Sequence, residues 1–249
     1  MKRNRFQGVC TVLRFNWHFF AGAGVVLLAL YAVAAFFPHP LNCVAFVLAS
    51  LGALAVIISL TATYVAYDAT GLYALGWLDP WMKIRPSERA ANIHAGFDET
   101  GALLTTRYPG VRWSVFDFYD PAKHTEISIR RARAAHPPSP GTIAISTTEP
   151  LPADERFERI LLLLAAHEIR DHAERVRFFV SLRHALAPGG AIIVTEHLRD
   201  LANFAAYNIG AWHFHTRSEW LATFAEAGLR VETRRRLNLF ITAFVLRPA

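Results

Sequence analysis

Apolar and polar positions divide this chain near residue 68. Residues 17–37 contain no Asp, Glu, Lys or Arg, and after Pro38-His39-Pro40 residues 41–67 contain none either. Each run exceeds the roughly 20 residues that a helix needs to cross a ~30 Å hydrocarbon core. A soluble core helix is rarely apolar on every face for that length. The pattern predicts a transmembrane helical hairpin, 17–37 and 41–67. A signal peptide is the competing reading of the first run, which has a basic start and Ala32-Val33-Ala34. That run continues through Phe36-Phe37 and a second follows at once, which favours the hairpin. Gly22, Gly24, Ala29, Ala49, Gly52, Ala53 and Ala55 either let the helices approach closely or reflect the ordinary Gly and Ala content of membrane helices.

Beyond the second run the period changes. Tyr64, Tyr67, Tyr73, Trp77 and Trp81 form an aromatic cluster of the kind found at membrane interfaces, so 68–88 reads as an interfacial linker. From residue 90, strand-like and helix-like stretches alternate. Strands are expected at 90–95, 111–118, 142–147, 159–165 and 191–195, with helices at 98–108, 124–135, 171–186 and 218–227. Residues 229–236 and 239–246 are expected to pair as a terminal hairpin. This alternation implies an α/β fold, a mostly parallel sheet covered on both faces. The domain limits are therefore 1–16 (arm), 17–67 (hairpin), 68–88 (linker) and 89–249 (α/β domain).

Charge adds an orientation. The chain of 249 residues carries a formal net charge of +6. Lys2, Arg3, Arg5 and Arg14 precede the first run, Lys83, Arg85 and Arg89 follow the second, and the link between the runs is uncharged. The positive-inside rule places both termini and the α/β domain in the cytoplasm, at the inner membrane. The basic excess lies mainly in the arm and two local clusters, which suits anionic lipid and gives no reason to invoke nucleic acid. Cys10 and Cys43 are too few for a disulfide framework or a cysteine-based zinc site. Arg130, Arg131 and Arg133 read as a solvated helix face. Arg234-Arg235-Arg236 read as a turn between the last strands, or as a contact for lipid headgroups.

Residues 151–196 carry a family resemblance. They run Leu151-Pro152, Asp154-Glu155, an apolar strand ending Ala165-Ala166-His167-Glu168, a helix, Leu186-Ala187-Pro188-Gly189-Gly190, and a strand ending at Glu196. With Ser218–Gly228 as a last helix, 88–249 resembles the class I S-adenosylmethionine-dependent methyltransferases (type 11-like). That resemblance implies a Rossmann-like domain with a seven-stranded sheet and S-adenosylmethionine as cofactor. It departs from the family at the glycine-rich loop, where Asn92-Ile93-His94-Ala95-Gly96-Phe97-Asp98-Glu99-Thr100 keeps one clear glycine. Asp117 matches the acid that ends the second strand, whose carboxylate accepts both hydrogen bonds of a ribose diol. The resemblance implies cofactor contacts from His94, Ala95, Gly96, Asp98, Asp117, Phe118 and Ala166, with Glu99 nearby.

Ligands of such a sheet lie at the carboxyl ends of its strands. His167, His197 and His213 fall there or just before the last helix, and a histidine can take the proton of a hydroxyl acceptor. His213-x-His215 with His197 has a spacing that a metal permits, but no carboxylate or cysteine completes that set, so no metal is expected. The sequence points to a membrane-anchored methyltransferase acting on a small apolar acceptor. The alternatives are a non-catalytic membrane scaffold that binds a partner of a biosynthetic complex, and a fold holding some other nucleotide-like ligand. Asp98 and Glu99 would repel a phosphate in the loop and disfavour the last.

Overall fold

The computed structural model describes residues 3–83, 85–152 and 156–249. Lys2 of the basic arm and Asp154-Glu155 of the family-like turn lie outside the described residues. Two helices, α1 (Gln7–Phe36) and α2 (Leu41–Tyr64), fold back on each other. Both are long and apolar enough to cross a membrane. Val25, Leu28, Phe36, Leu51 and Ile57 are exposed along them. Ala45 and Ala49 are buried, and Gly52 sits under Leu27, whereas Gly22 and Gly24 face open space. The small residues of α2 thus serve the helix contact and those two glycines of α1 do not.

Helix α1 starts at Gln7, inside the expected arm. Asn16 leaves helical geometry (φ −113°, ψ 18°) and its amide donates to Val12 O at 3.1 Å. This kink lets 7–15 pack on the α/β domain while the apolar remainder pairs with α2.

The linker also joins the domain. A π-turn (Val65–Ala69) and two 3-10 turns (Leu72–Ala74, Gly76–Leu78) carry Leu72, Leu75, Leu78 and Met82 to buried positions. Leu75, Leu78 and Met82 pack with Leu104, Leu161 and Ile193. Their spacing of three or four residues gives the short helical turns one inner face. The Arg159 guanidinium donates to Trp81 O at 2.5 Å and Lys83 O at 3.3 Å, and Arg107 pairs with Asp79.

The sheet contains β1 (Arg89–His94), β2 (Arg112–Asp117), β3 (Ile143–Ala144), β4 (Phe157–Leu163), β5 (Leu186–His197), β6 (Leu229–Arg236) and β7 (Ile241–Pro248). Its order is β3-β2-β1-β4-β5-β7-β6, with β7 antiparallel to both neighbours and the other pairings parallel. Helices α3 (Gly101–Arg107), α4 (Ile127–Ala135), α5 (His172–His184), α6 (Leu201–Tyr207) and α7 (Arg217–Glu226) connect the strands. The core between sheet and helices is aromatic, with Phe116, Phe157, Phe178, Phe179, Trp220, Phe224 and Phe244 all fully buried.

Several expectations shift. β3 is two residues long instead of six. Pro188-Gly189-Gly190 lies inside β5, where the strand shifts register against β4; a Cβ on Gly190 would come within 2.9 Å of Phe157 O. Arg234–236 lie on edge strand β6 and not in a turn, since an edge end leaves both faces open to water. Arg131 and Arg133 are not a solvated face: Arg131 donates to Phe15 O at 2.9 Å, and Arg133 pairs with Asp117. Helix α6 and the 3-10 turn Asn208–His213 have no clear hydrophobic period, and were not anticipated.

Candidate cofactor and acceptor site

The carboxyl ends of β1, β4 and β5 open into a cavity of about 290 Å³. Its floor comes from Asn92–Ala95, Leu163–Ala165 and Thr195. Phe15 and Val12 of α1, with Tyr67 of the π-turn and Tyr73 of the linker, line it on the opposite side. A second hollow of about 240 Å³ lies on the other side of His94, bounded by Gly96, Asp98 and the segment 135–139.

The lid is fastened by a polar cluster. Asp68 accepts from the Gly8 and Val9 amides at 2.8 and 3.0 Å, capping the start of α1. Gly8 is required there, because a Cβ would sit 2.5 Å from Tyr67 Cβ. Glu99 accepts from Arg3 at 3.3 Å and from the Tyr73 hydroxyl, and the Arg3 guanidinium lies 3.4 Å above the Tyr73 ring.

On the cofactor side, Gly96 turns the chain with φ +85°, and the Tyr119 ring packs where a side chain would stand. The carboxylate of Asp117 is buried. Its Oδ1 accepts from the Gly96 and Tyr119 amides at 2.8 and 2.9 Å, while Oδ2 is held by Arg133. Asp98 accepts from the Thr100 and Gly101 amides at 3.0 and 2.7 Å, so it holds the start of α3. His94 is only 5% exposed, and both ring nitrogens lack a hydrogen-bond partner among the described residues. Burial pushes its pKa down, opposed in part by Asp117 with Nδ1 3.6 Å from Oδ1. Ala95 lines the cavity. Phe118 points away into the core against Phe178, and Ala166 is fully buried beside Ala165, which lines the cavity in its place.

The polar corner of the cavity is built by the 3-10 turn Ala166–Glu168. His167 Nδ1 donates to Glu196 Oε2 at 2.6 Å, and the His167 amide donates to Glu196 Oε1 at 3.2 Å. Glu196 is wholly buried. Burial lowers the His167 pKa, but Glu196 and Glu168 outweigh it and hold the imidazole up at about 10. Glu168 Oε1 lies 3.5 Å from His167 Nε2 and 3.4 Å from His213 Nε2. Burial raises the Glu168 pKa, yet the two histidines keep it well below the usual carboxylate range.

His197 is differently employed. Its Nε2 accepts from the Tyr67 hydroxyl at 2.8 Å, while Nδ1 faces Asn203 Oδ1 and Phe240 O, both at 3.1 Å. Its ring stacks on Phe214 at 4.8 Å. Burial pushes its pKa down to about 4. It is a neutral strut between linker and sheet. The structure thus brings His167 and His213 together, while His197 lines the same cavity with its ring nitrogens taken up by Tyr67, Asn203 and Phe240. Phe15, Tyr67 and Tyr73 have no signal in the sequence for a place at the site, because nothing in their local pattern says that the N-terminal segment and the end of the second apolar run fold over the sheet.

No protein-family model matches this sequence, and no curated protein matches it. Solved structures do match, and the fold is that of the class I methyltransferases. Mitomycin 7-O-methyltransferase MmcR superposes with TM-score 0.55 at 15% identity, over 99% of this chain and 74% of that one. A LepI variant in complex with SAH and a substrate analogue gives 0.54 at 13% identity, over 100% and 70%. In another LepI structure, a complex with SAM, the matched part is 46% of that chain. CcbJ methyltransferase from Streptomyces caelestis gives 0.50 at 14% identity, over 72% and 89%.

Proposed function

We propose that this protein transfers a methyl group from S-adenosylmethionine to a small apolar acceptor that reaches the site from a membrane. The observation that carries this reading is His94. It is a buried histidine whose two ring nitrogens lack a hydrogen-bond partner among the described residues, and it stands between two hollows at the carboxyl end of β1. Buried polar groups without partners are rare, and a ligand that supplies them resolves the cost. The fold binds ligands at this edge, and a LepI variant that shares the fold was solved in complex with SAH. His94, Ala95, Gly96 and Asp117 would hold the cofactor, Asp117 at its ribose, beside the larger cavity. The cofactor supplies the electrophilic methyl when bound, and the chain positions the acceptor and excludes water. The walls Val12, Phe15, Leu72, Ile129 and Phe214 suit an apolar acceptor, and the His167–Glu168 corner would meet its one polar group. The hairpin would hold this mouth at the cytoplasmic face of the inner membrane.

Titration calorimetry of S-adenosylmethionine into the full-length protein in detergent tests the reading. Micromolar binding that His94→Ala weakens at least tenfold is expected. No binding at millimolar cofactor by folded protein would overturn it. One observation favours the scaffold alternative: Arg133 already holds Asp117, the ribose acceptor. Failure to bind cofactor would move the assignment there.

A further inference from the structure

We propose that His167, Glu168 and His213 form a binding site for one divalent transition-metal cation, zinc-like in its preferences, open to the cavity on one side. The sequence expectation excluded a metal because His197, His213 and His215 lacked a carboxylate. The fold selects a different set. His167 and Glu168 come from the turn after β4, and His213 from the last residue of the 208–213 turn. One ligand atom from each lies within 4.8 Å of the others.

Three observations point to a cation. First, Glu168 Oε1 stands 3.5 Å from His167 Nε2 and 3.4 Å from His213 Nε2. Two ligands held ~2.1 Å from a tetrahedral ion stand about 3.4 Å apart, whereas a good nitrogen–oxygen hydrogen bond is shorter. Second, His167 donates from Nδ1 to the buried Glu196 carboxylate. That is the outer-shell contact which fixes the tautomer of a metal-bound histidine and turns Nε2 to the ion. Third, Glu168 Oε2 is buried and lacks a hydrogen-bond partner among the described residues. Two imidazoles and a carboxylate suit Zn²⁺, Co²⁺ or Fe²⁺ better than Mg²⁺ or Ca²⁺.

Arg170 supplies the opposing term. Its Nη2 lies 2.6 Å from His213 Nε2 and 3.8 Å from Glu168 Oε2. It therefore holds the cation's place with its own charge. Its side chain is 40% exposed and already reaches Glu126 at 3.1 Å, so it can withdraw toward solvent when an ion enters. His167 and Glu168 line the cavity, so an open coordination position faces the acceptor. The ligand for that position is an oxygen, a phenol, enol or hydroxyl, on an otherwise apolar molecule. This last step rests on the proposed function; the cation site does not.

The test is titration of Co²⁺ into full-length protein stripped of metal in detergent, followed by visible absorption. Saturable binding near one equivalent, with the intense bands of a four- or five-coordinate ion, is expected. His213→Ala, at a half-buried surface position, is expected to weaken it at least tenfold, and Arg170→Gln to tighten it. Absence of saturable binding below millimolar Co²⁺, or binding that His213→Ala leaves unchanged, would overturn the site. Calorimetry of S-adenosylmethionine on the same metal-free sample separates this failure from failure of the cofactor assignment.

Discussion

At the residue scale the decisive contacts are those that spend, or leave unspent, a buried polar atom. Asp117 spends Oδ1 on two amides and Oδ2 on Arg133. On the proposed function, a ribose diol would compete with a guanidinium here. Arg133→Ala should lower the melting temperature of the free protein, because a buried carboxylate loses its partner. It should also enlarge the stabilisation that S-adenosylmethionine gives, since the diol then restores the lost bonds; paired thermal melts with and without cofactor check both. His197 makes a separate prediction about pH. Its folded pKa is near 4 against an ordinary 6.5, because burial disfavours the imidazolium. Between those values the unfolded chain binds a proton that the folded chain refuses, so the His197 contribution to stability falls as pH drops from about 6.5 to 4 and is constant below, where the loss from Glu168 takes over. The loss is about 3 kcal/mol for such a gap. His215, pushed to about 4 by burial and by Arg175, acts in the same direction. Melting temperature measured across this range should slope with pH, and His197→Asn should flatten the slope. The place of Asp117 at the end of β2 was legible from its strand and its acid. The bond from His167 to Glu196 joins residues 29 apart and needs the β4–β5 register, which no local pattern carries.

At the element scale the controlling piece is the first ten residues of α1. Sequence showed two apolar runs and a basic arm, and the strand–helix alternation after residue 90 was readable because each stretch has its own period. The arm was not readable as helix, since its ordering depends on Asp68, about sixty residues away, accepting from the Gly8 and Val9 amides. Removing that cap costs about 1–2 kcal/mol by general experience. Asp68→Ala should therefore speed amide hydrogen exchange in 7–16 while leaving β4 and β5 protected. Because Phe15 and Val12 of this segment close the cavity, the same variant should weaken acceptor binding more than cofactor binding. Gly8→Ala should act likewise by steric means, since Tyr67 Cβ occupies the space. Equal exchange in both proteins would show that the segment is not a lid held by its cap.

For the whole molecule, hairpin and α/β domain are not separable at the boundary that composition suggests. Leu75, Leu78 and Met82 fill the sheet face made by Leu161 and Ile193, Leu72 packs with Phe240 and Ile241, and Tyr67 is tied to His197. A chain beginning at residue 89 exposes that face and loses the roof of the cavity. It should aggregate or melt well below the full-length protein, and lose cofactor-dependent stabilisation with it. A different deletion should succeed. The start of α1 and the end of α2 lie together, with Phe6 5.4 Å from Tyr64 and Gly8 against Tyr67. Replacing residues 20–58 by a short Gly/Ser link therefore removes most of the exposed apolar surface of the hairpin while keeping 3–18 and 62–88 in place. That chain should be soluble without detergent and retain S-adenosylmethionine binding within about threefold, because no residue of the cofactor hollow is touched; the two affinities, measured by calorimetry, decide it. Its turnover on an apolar acceptor should fall when the acceptor is supplied in vesicles, and stay unchanged when the acceptor is water-soluble. If both acceptors lose turnover alike, the hairpin is shaping the site and not delivering the acceptor to it, which places the work of these two helices in the fold and not in the bilayer.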